Sequence, residues 1–342
     1  VKILTGYFDE LLTSAERGWR TFWFTPADTA TLGLIRIFAG SMLFYTHLVW
    51  TLDLEAFFGP HAWLTSEAIN SFYGGGWAWS YLNHIHAPWL LWTAHIAGLA
   101  VFAMLALGLF SRITSVLAYL IAVAYVNRVP GALFGLDQIN VMLAMYLMIG
   151  PSGASYSLDR WLASRKSKPP LALAPPSVSA NVAIRLIQCH MCIIYLFAGL
   201  SKLSGQSWWD GSALWLSFAN LEYQSLDMTW TANWPRAISL LTHISVMWEV
   251  SYCALVWPRL TRPIVVALAV PLHLGIALCL GMITFGLAML IGNLAFVSPQ
   301  LVRHVVAWLT RSPTLPVTEL SPETSGGRRA RRAKSAITSA NR

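Results

Sequence analysis

Long apolar stretches recur eight times along this chain, near 29–50, 88–110, 112–128, 132–150, 182–202, 236–257, 263–282 and 284–299. A helix of roughly 20 apolar residues crosses the hydrocarbon core of a bilayer. Charge is correspondingly scarce: 56% of the 342 residues are apolar and 11% are charged, against about a quarter charged in a soluble domain. That balance excludes a disordered chain and an ordinary cytosolic enzyme. The expected fold is an all-α, polytopic transmembrane helical bundle of about eight spans.

The basic surplus of +8 reports topology. Residues 300–342 hold Arg303, Arg311, Arg328, Arg329, Arg331, Arg332, Lys334 and Arg342 against Glu319 and Glu323 only. Residues 312–342 lack apolar periodicity and read as a disordered basic tail. No aromatic residue interleaves with its basic run, so nucleic acid is not an expected partner. Two long connections, 51–87 and 203–235, are rich in Trp, contain no Lys or Arg, and carry Asp53, Glu55, Glu67, Asp210, Glu222 and Asp227. The connection 151–181, the linker between the halves, carries Arg160, Arg165, Lys166 and Lys168. The positive-inside rule then places both termini in the cytoplasm of a cell-membrane protein. It puts the two Trp-rich loops outside, as interfacial or re-entrant segments. Residues 1–28 place Leu4, Phe8, Leu11, Ala15, Trp19 and Phe22 on one stripe, as an interfacial amphipathic helix does. Residues 29–311 form the transmembrane domain.

An ionisable group inside a membrane is a functional candidate by default. Here these are Arg36, Asp137, Arg185, Lys202 and Glu249, with His273 in the seventh span. Arg185, Gln188, Cys192, Tyr195, Gly199 and Lys202 recur at three- and four-residue steps on one helical face. Thr242, Ser245, Glu249 and Tyr252 form a second polar stripe, and Arg36, Gly40, Leu43 and His47 a third. Such seams belong in the bundle interior. They either line a ligand cavity or hold the helices together by hydrogen bonds and ion pairs. Arg36 and Arg185 lie where their stems can reach the cytoplasmic interface. The histidines and cysteines show no metal-ligand spacing, and no metal is expected.

The segment Tyr195-Leu-Phe-Ala-Gly199-Leu-Ser-Lys202-Leu-Ser-Gly-Gln-Ser-Trp208-Trp209-Asp210-Gly211 resembles a signature of vitamin K-dependent gamma-glutamyl carboxylase and its microbial relatives. These share the horizontally transferred transmembrane (HTTM) domain. Leu34-Ile-Arg36-Ile-Phe-Ala-Gly40, Ser157-Leu158-Asp159 and Pro271-Leu-His273-Leu are similar to further parts of it, in order, over about residues 20–300. The resemblance implies that Lys202 is a base that deprotonates a reduced, vitamin K-like isoprenoid quinone. Trp208, Trp209 and Asp210 would then shape the mouth of an outward-facing site, lined also by Tyr195, Glu249, His273 and Arg36.

Two departures count against protein carboxylation. Asn127-Arg128 stands where the carboxylase has Asn-His, and a permanent cation accepts no proton. The carboxylase's large lumenal, substrate-binding portion has no counterpart here. The expected function is thus a quinol-linked or lipid-substrate membrane enzyme, with carboxylase-like, lyase or oxidoreductase chemistry. A non-catalytic carrier or binding protein for a lipid or hydrophobic solute, and a membrane assembly subunit, remain as alternatives.

Overall fold

A computed structural model of the protein describes residues 2–73, 78–169 and 171–310. The expected basic tail, 312–342, lies outside the described residues. Every element longer than a turn is helical, and among the described residues the only β pairing is one bridge between Ala27 and Ser177.

An N-terminal helix, α1 (Lys2–Phe24), precedes α2 (Ala30–Trp50). The first Trp-rich connection holds two short helices, α3 (Leu54–Phe58) and α4 (Ser66–Tyr73). Three helices follow, α5 (Pro88–Leu107), α6 (Ser111–Arg128) and α7 (Gly135–Ile149), then the polar α8 (Leu158–Lys166). The second half begins with α9 (Val178–Leu203). Its Trp-rich connection holds α10 (Gln206–Trp209) and α11 (Ala213–Ala219). After it come α12 (Pro235–Leu255), α13 (Arg262–Cys279), α14 (Ile283–Asn293) and α15 (Pro299–Thr310). Residues 1–302 make one compact unit; of a second unit, which begins at Arg303, the end of α15 is described.

Seven of the eight expected apolar stretches fall largely on one helix each; the eighth, 284–299, is divided between α14, a short 3-10 turn and the start of α15. Five segments are both long and apolar enough to cross a membrane: Ala30–Phe58, Pro88–Leu107, Val178–Leu203, Pro235–Leu255 and Arg262–Cys279. The number rises to six if Ile283–Phe296 and Pro299–Thr310 count as one broken span. Helix α7, with 15 residues, is apolar but shorter.

The buried side chains of α2, α7, α9, α12, α13 and α14 form the largest apolar cluster, around Leu32, Leu143, Ile187, Tyr195 and Tyr252. A second cluster joins α2 and α7 to α5 and α6 through Leu43, Phe102, Leu105 and Ala118. The outward faces are as apolar as the core: Phe38, Ile96, Ile113, Phe197, Met247, Ile264 and Leu278 are all exposed. A soluble bundle would place polar groups there. An apolar exterior over an apolar interior is what lipid solvation requires.

One buried cation joins the helices at the end of the bundle where α5 turns into α6. Arg36, 0% exposed, donates to the carbonyls of Leu105 (2.9 Å), Ala106 (3.1 Å), Ser152 (3.1 Å) and Tyr156 (2.5 Å). Its guanidinium is therefore satisfied by backbone carbonyls inside the protein. It lies against Gly108, whose φ of 71° closes α5; a Cβ there would collide with the Arg36 guanidinium. Beyond it, Asp159 caps the start of α6. Its carboxylate accepts from the Phe110 N–H (2.8 Å), the Ser111 N–H (2.8 Å) and the Ser111 hydroxyl (2.6 Å). An acceptor at free helix N–H groups also complements the helix dipole. Desolvation raises the pKa of the Asp159 carboxyl, but the Ser111 and Phe110 hydrogen bonds and the charge of Arg36 together hold it below the usual carboxylate range.

A carboxyl with a depressed folded-state pKa contributes stability above its unfolded value, near pH 4, and that contribution is lost as pH falls through the folded value. Asp159→Asn is expected to lose about 1–3 kcal/mol at neutral pH and to lose less further stability than the parent protein on acidification below about pH 4. Thermal unfolding in detergent across pH checks both. Equal acid sensitivity in the two proteins would remove Asp159 from this role.

Candidate functional site

The polar seam of α9 meets that of α12 because a glycine lets the backbones approach. A Cβ on Gly199 would stand 2.7 Å from Val250 Cγ2, 3.0 Å from the Val250 nitrogen and 3.2 Å from Glu249 Cβ. Lys202 follows three residues later on the same face. Its Nζ lies 2.5 Å from Glu249 Oε2, a charge-assisted hydrogen bond. The Glu249 side chain is 8% exposed and that of Lys202 is 27% exposed, so the carboxylate is inside and the amine at the edge. The Lys202 ammonium also stands 5.3 Å from the centre of the Trp208 ring, within cation–π range.

Two turns deeper on α9 than Lys202, Tyr195 organises a second group. Its hydroxyl is 2.6 Å from His273 Nε2 and accepts from Asn293 Nδ2 at 2.7 Å; Asn293 Oδ1 accepts from the Tyr252 hydroxyl at 2.7 Å. Counting donors gives a direction. Tyr195 accepts from the amide, and among the described residues the imidazole Nε2 is the one acceptor within reach of its own proton; donating there leaves Nε2 the bare nitrogen and Nδ1 the protonated one. That Nδ1 is buried and has no hydrogen-bond partner. The rings of Trp248, Tyr252 and His273 pack around Tyr195 at centroid distances of 4.9, 4.2 and 5.8 Å.

Of the expected site residues, Lys202, Glu249 and Trp208 touch, and Tyr195 and His273 form the adjoining hydrogen-bonded chain. Trp209 and Asp210 flank this group and engage other partners. The Trp209 indole donates to the Leu203 carbonyl at 2.7 Å. The exposed Asp210 carboxylate accepts from the Ser212 hydroxyl (2.6 Å) and N–H (2.9 Å), which hold it below the usual carboxylate range. Arg36 is not brought to this group: its four carbonyl acceptors hold it at the junction with Asp159. Arg185 is likewise a tie, donating to Gln188 at 3.0 Å and lying over the Phe22 ring at 4.4 Å. Arg128 donates to the carbonyls of Leu64 (2.8 Å) and Gly59 (3.2 Å), and Asn127 to that of Trp79 (2.9 Å). That pair clamps the first Trp-rich connection.

Sequence reading passed over Asn293, the amide that joins Tyr195 to Tyr252. The available signal was a lone Asn in the last apolar stretch, beside Gly292. Among the described residues, no group of three or more His, Cys, Asp or Glu is placed to hold a metal ion.

The fold and these groups define a helical membrane protein with an acid–base pair at the edge of its core. The family model described as the HTTM domain matches residues 24–300. The chain belongs to that family. Neither the curated proteins nor the solved structures give a match.

Asn293→Ala leaves the Tyr252 hydroxyl without its acceptor and the Tyr195 hydroxyl without its donor. It is expected to lower stability by about 1–3 kcal/mol per orphaned group, read as a lower unfolding temperature in detergent. Unchanged unfolding would mean that water replaces the amide there.

Proposed function

We propose that this HTTM protein is a membrane enzyme in which Lys202 and Glu249 act as one base toward an acidic hydroxyl of a quinol or lipid substrate. The observation that carries the reading is the 2.5 Å contact between Lys202 and the buried Glu249. The pair is net neutral. It holds one proton between two basic sites and takes up a second, ending as ammonium beside carboxylic acid. A partly exposed lysine receives the proton at the edge, and the single positive charge the pair gains is balanced by the oxyanion left on the deprotonated substrate beside it.

The residues present suit a reduced isoprenoid quinone. Trp208 offers a flat face beside the amine, and the buried N–H of His273 lacks an acceptor that a ring oxygen would supply. When bound, such a quinol supplies the ionisable hydroxyl and the electrons. The chain's own part is narrower. Lys202 removes the proton, Glu249 holds the proton the two share and so leaves the amine free to accept, and Tyr195 and Asn293 keep His273 in one tautomer.

The same reading sets the protein in the cell membrane with eight crossings, α6, α7 and α14 completing the five long ones, and with both termini cytoplasmic. Support comes from which contacts share an end. The Ala27–Ser177 bridge, Asn181 on the carbonyls of Phe22 and Trp23, and the Arg36 junction gather the basic connections. The connections without Lys or Arg follow the opposite ends of α2 and α9. Helix α1, with Tyr7, Phe8, Leu11 and Trp19 exposed, is then the interfacial helix. A second reading, a non-catalytic lipid or hydrophobic-solute binder, is favoured by a wide cleft elsewhere in the bundle, described below.

Replacing both members of the pair removes the chemistry without stranding a charge. The double variant Lys202→Met with Glu249→Met is expected to fold and to lose about 100-fold or more of quinol-dependent oxygen uptake in proteoliposomes. Extraction and mass spectrometry of the purified parent protein should show a bound isoprenoid quinone. An unaffected double variant together with a quinone-free, quinol-indifferent parent protein would leave the pair as a structural tie.

A further inference from the structure

We propose that a second site, separate from Lys202, binds an amphiphile with a protonated amine headgroup and an apolar body. A cleft of about 1100 Å³ lies between the end of α2, the start of α7, residues 222–225 of the second Trp-rich connection, and the turn from α13 to α14. That exceeds the roughly 300–1,000 Å³ of ordinary small-molecule pockets. Tyr45, Trp50, Phe57, Phe134, Tyr223 and Phe285 supply much of its apolar wall. Lys202 does not line it, and neither does any other Lys or Arg, while Asp53, Asp137 and Glu222 all do.

Behind the cleft is a recess of about 20 Å³ that shares Thr46, Trp50 and Asp137 with it and is lined further by His47 and Asn140. One water-sized group fits such a space. His47 is 7% and Asn140 3% exposed, and each carries a buried polar atom with no hydrogen-bond partner, Nε2 and Oδ1. His47 Nδ1 lies 2.8 Å from the Leu43 carbonyl, which only accepts. In the neutral ring, therefore, Nδ1 carries the proton and Nε2 is an empty acceptor.

The recess thus presents two unfilled acceptors, with a carboxylate beside them. Leaving such groups unpaired in a membrane interior is costly. A headgroup that fills it must donate more than one hydrogen bond from a single small atom. A hydroxyl donates one; an ammonium donates three. A carboxylate or phosphate headgroup would meet acceptors and negative charge with no cation to pair with. The three carboxylates then favour the amine further, and the aromatic wall takes its apolar body.

The test uses the full chain in nanodiscs of zwitterionic lipid, with radiolabelled hexadecylamine, hexadecanol and hexadecanoate, each measured over empty nanodiscs. The amine is expected to bind about tenfold or more tightly than the alcohol, and the acid more weakly than either. Asn140→Leu, which fills the recess, should weaken amine binding about tenfold. Should that variant fail to fold, Asp53→Asn with Glu222→Gln decides, since both side chains are exposed. It should reduce the preference for amine over alcohol about threefold or more. Equal binding of amine and alcohol, tighter binding of the acid, no binding over empty nanodiscs, or amine binding unchanged in the variants would each overturn the proposal. The last two outcomes would identify the recess as a site for water alone. None of these outcomes depends on quinol chemistry at Lys202.

Discussion

A charge or a polar group taken out of water must be paired within the protein, and in hydrocarbon no solvent stands by to repair an omission. That requirement organises this molecule more than any one apolar contact does. Its apolar surfaces are nearly equivalent, inside and out, and say little about which helix should lie beside which. The buried polar groups do say so. Arg36 can be satisfied only where the end of α5 and the turns before α8 converge on α2. Tyr195, Asn293, Tyr252 and His273 can satisfy one another only if α9, α12, α13 and α14 are neighbours. The apolar core then fills the geometry these bonds specify.

Much of the helical layout was legible in the sequence, because hydrocarbon thickness imposes a length on each element and the apolar stretches record it. The polar faces of α9 and α12 were legible too, since the helical period places Tyr195, Gly199 and Lys202 in one row. Which rows would meet was not. A step of three or four residues gives a face but no partner, and the Gly199 approach that seats Lys202 on Glu249 depends on the opposite backbone. The same gap explains Arg36. In sequence it is a cation on a polar face, available either to a site or to the interface. Only the fold reveals four carbonyls around it. Asn293 escaped notice for the opposite reason: a single amide in an apolar run has no periodicity to announce it.

The Lys202 group and the wide cleft are close in the fold without being one site. Phe285 lines the cleft and also packs on the His273 ring at a centroid distance of 6.4 Å. One aromatic side chain therefore lies between a space large enough for a lipid-sized molecule and the hydrogen-bonded chain that begins at Tyr195. The two places differ in the charge they offer. One presents an ammonium paired with a carboxylate. The other presents carboxylates and empty acceptors with no cation. A single headgroup does not suit both, which separates their ligands by chemistry as well as by position.

The choice of cation at each buried position follows the same logic. Arg36 and Arg128 carry a planar fork of donors, cannot lose their protons, and are each held by backbone carbonyls. Such a group fixes a junction and can do nothing else. Lys202 is a point charge on a flexible stem, able to give up a proton, and it faces a carboxylate in place of a carbonyl. A carbonyl would hold the lysine cationic without sharing its proton. A carboxylate can exchange protonation with it, so the pair has more than one state of equal net charge. Among the described cations set beside this bundle's polar seams, the partly exposed lysine alone is built to change state, which is the physical reason to place chemistry there and architecture at the arginines.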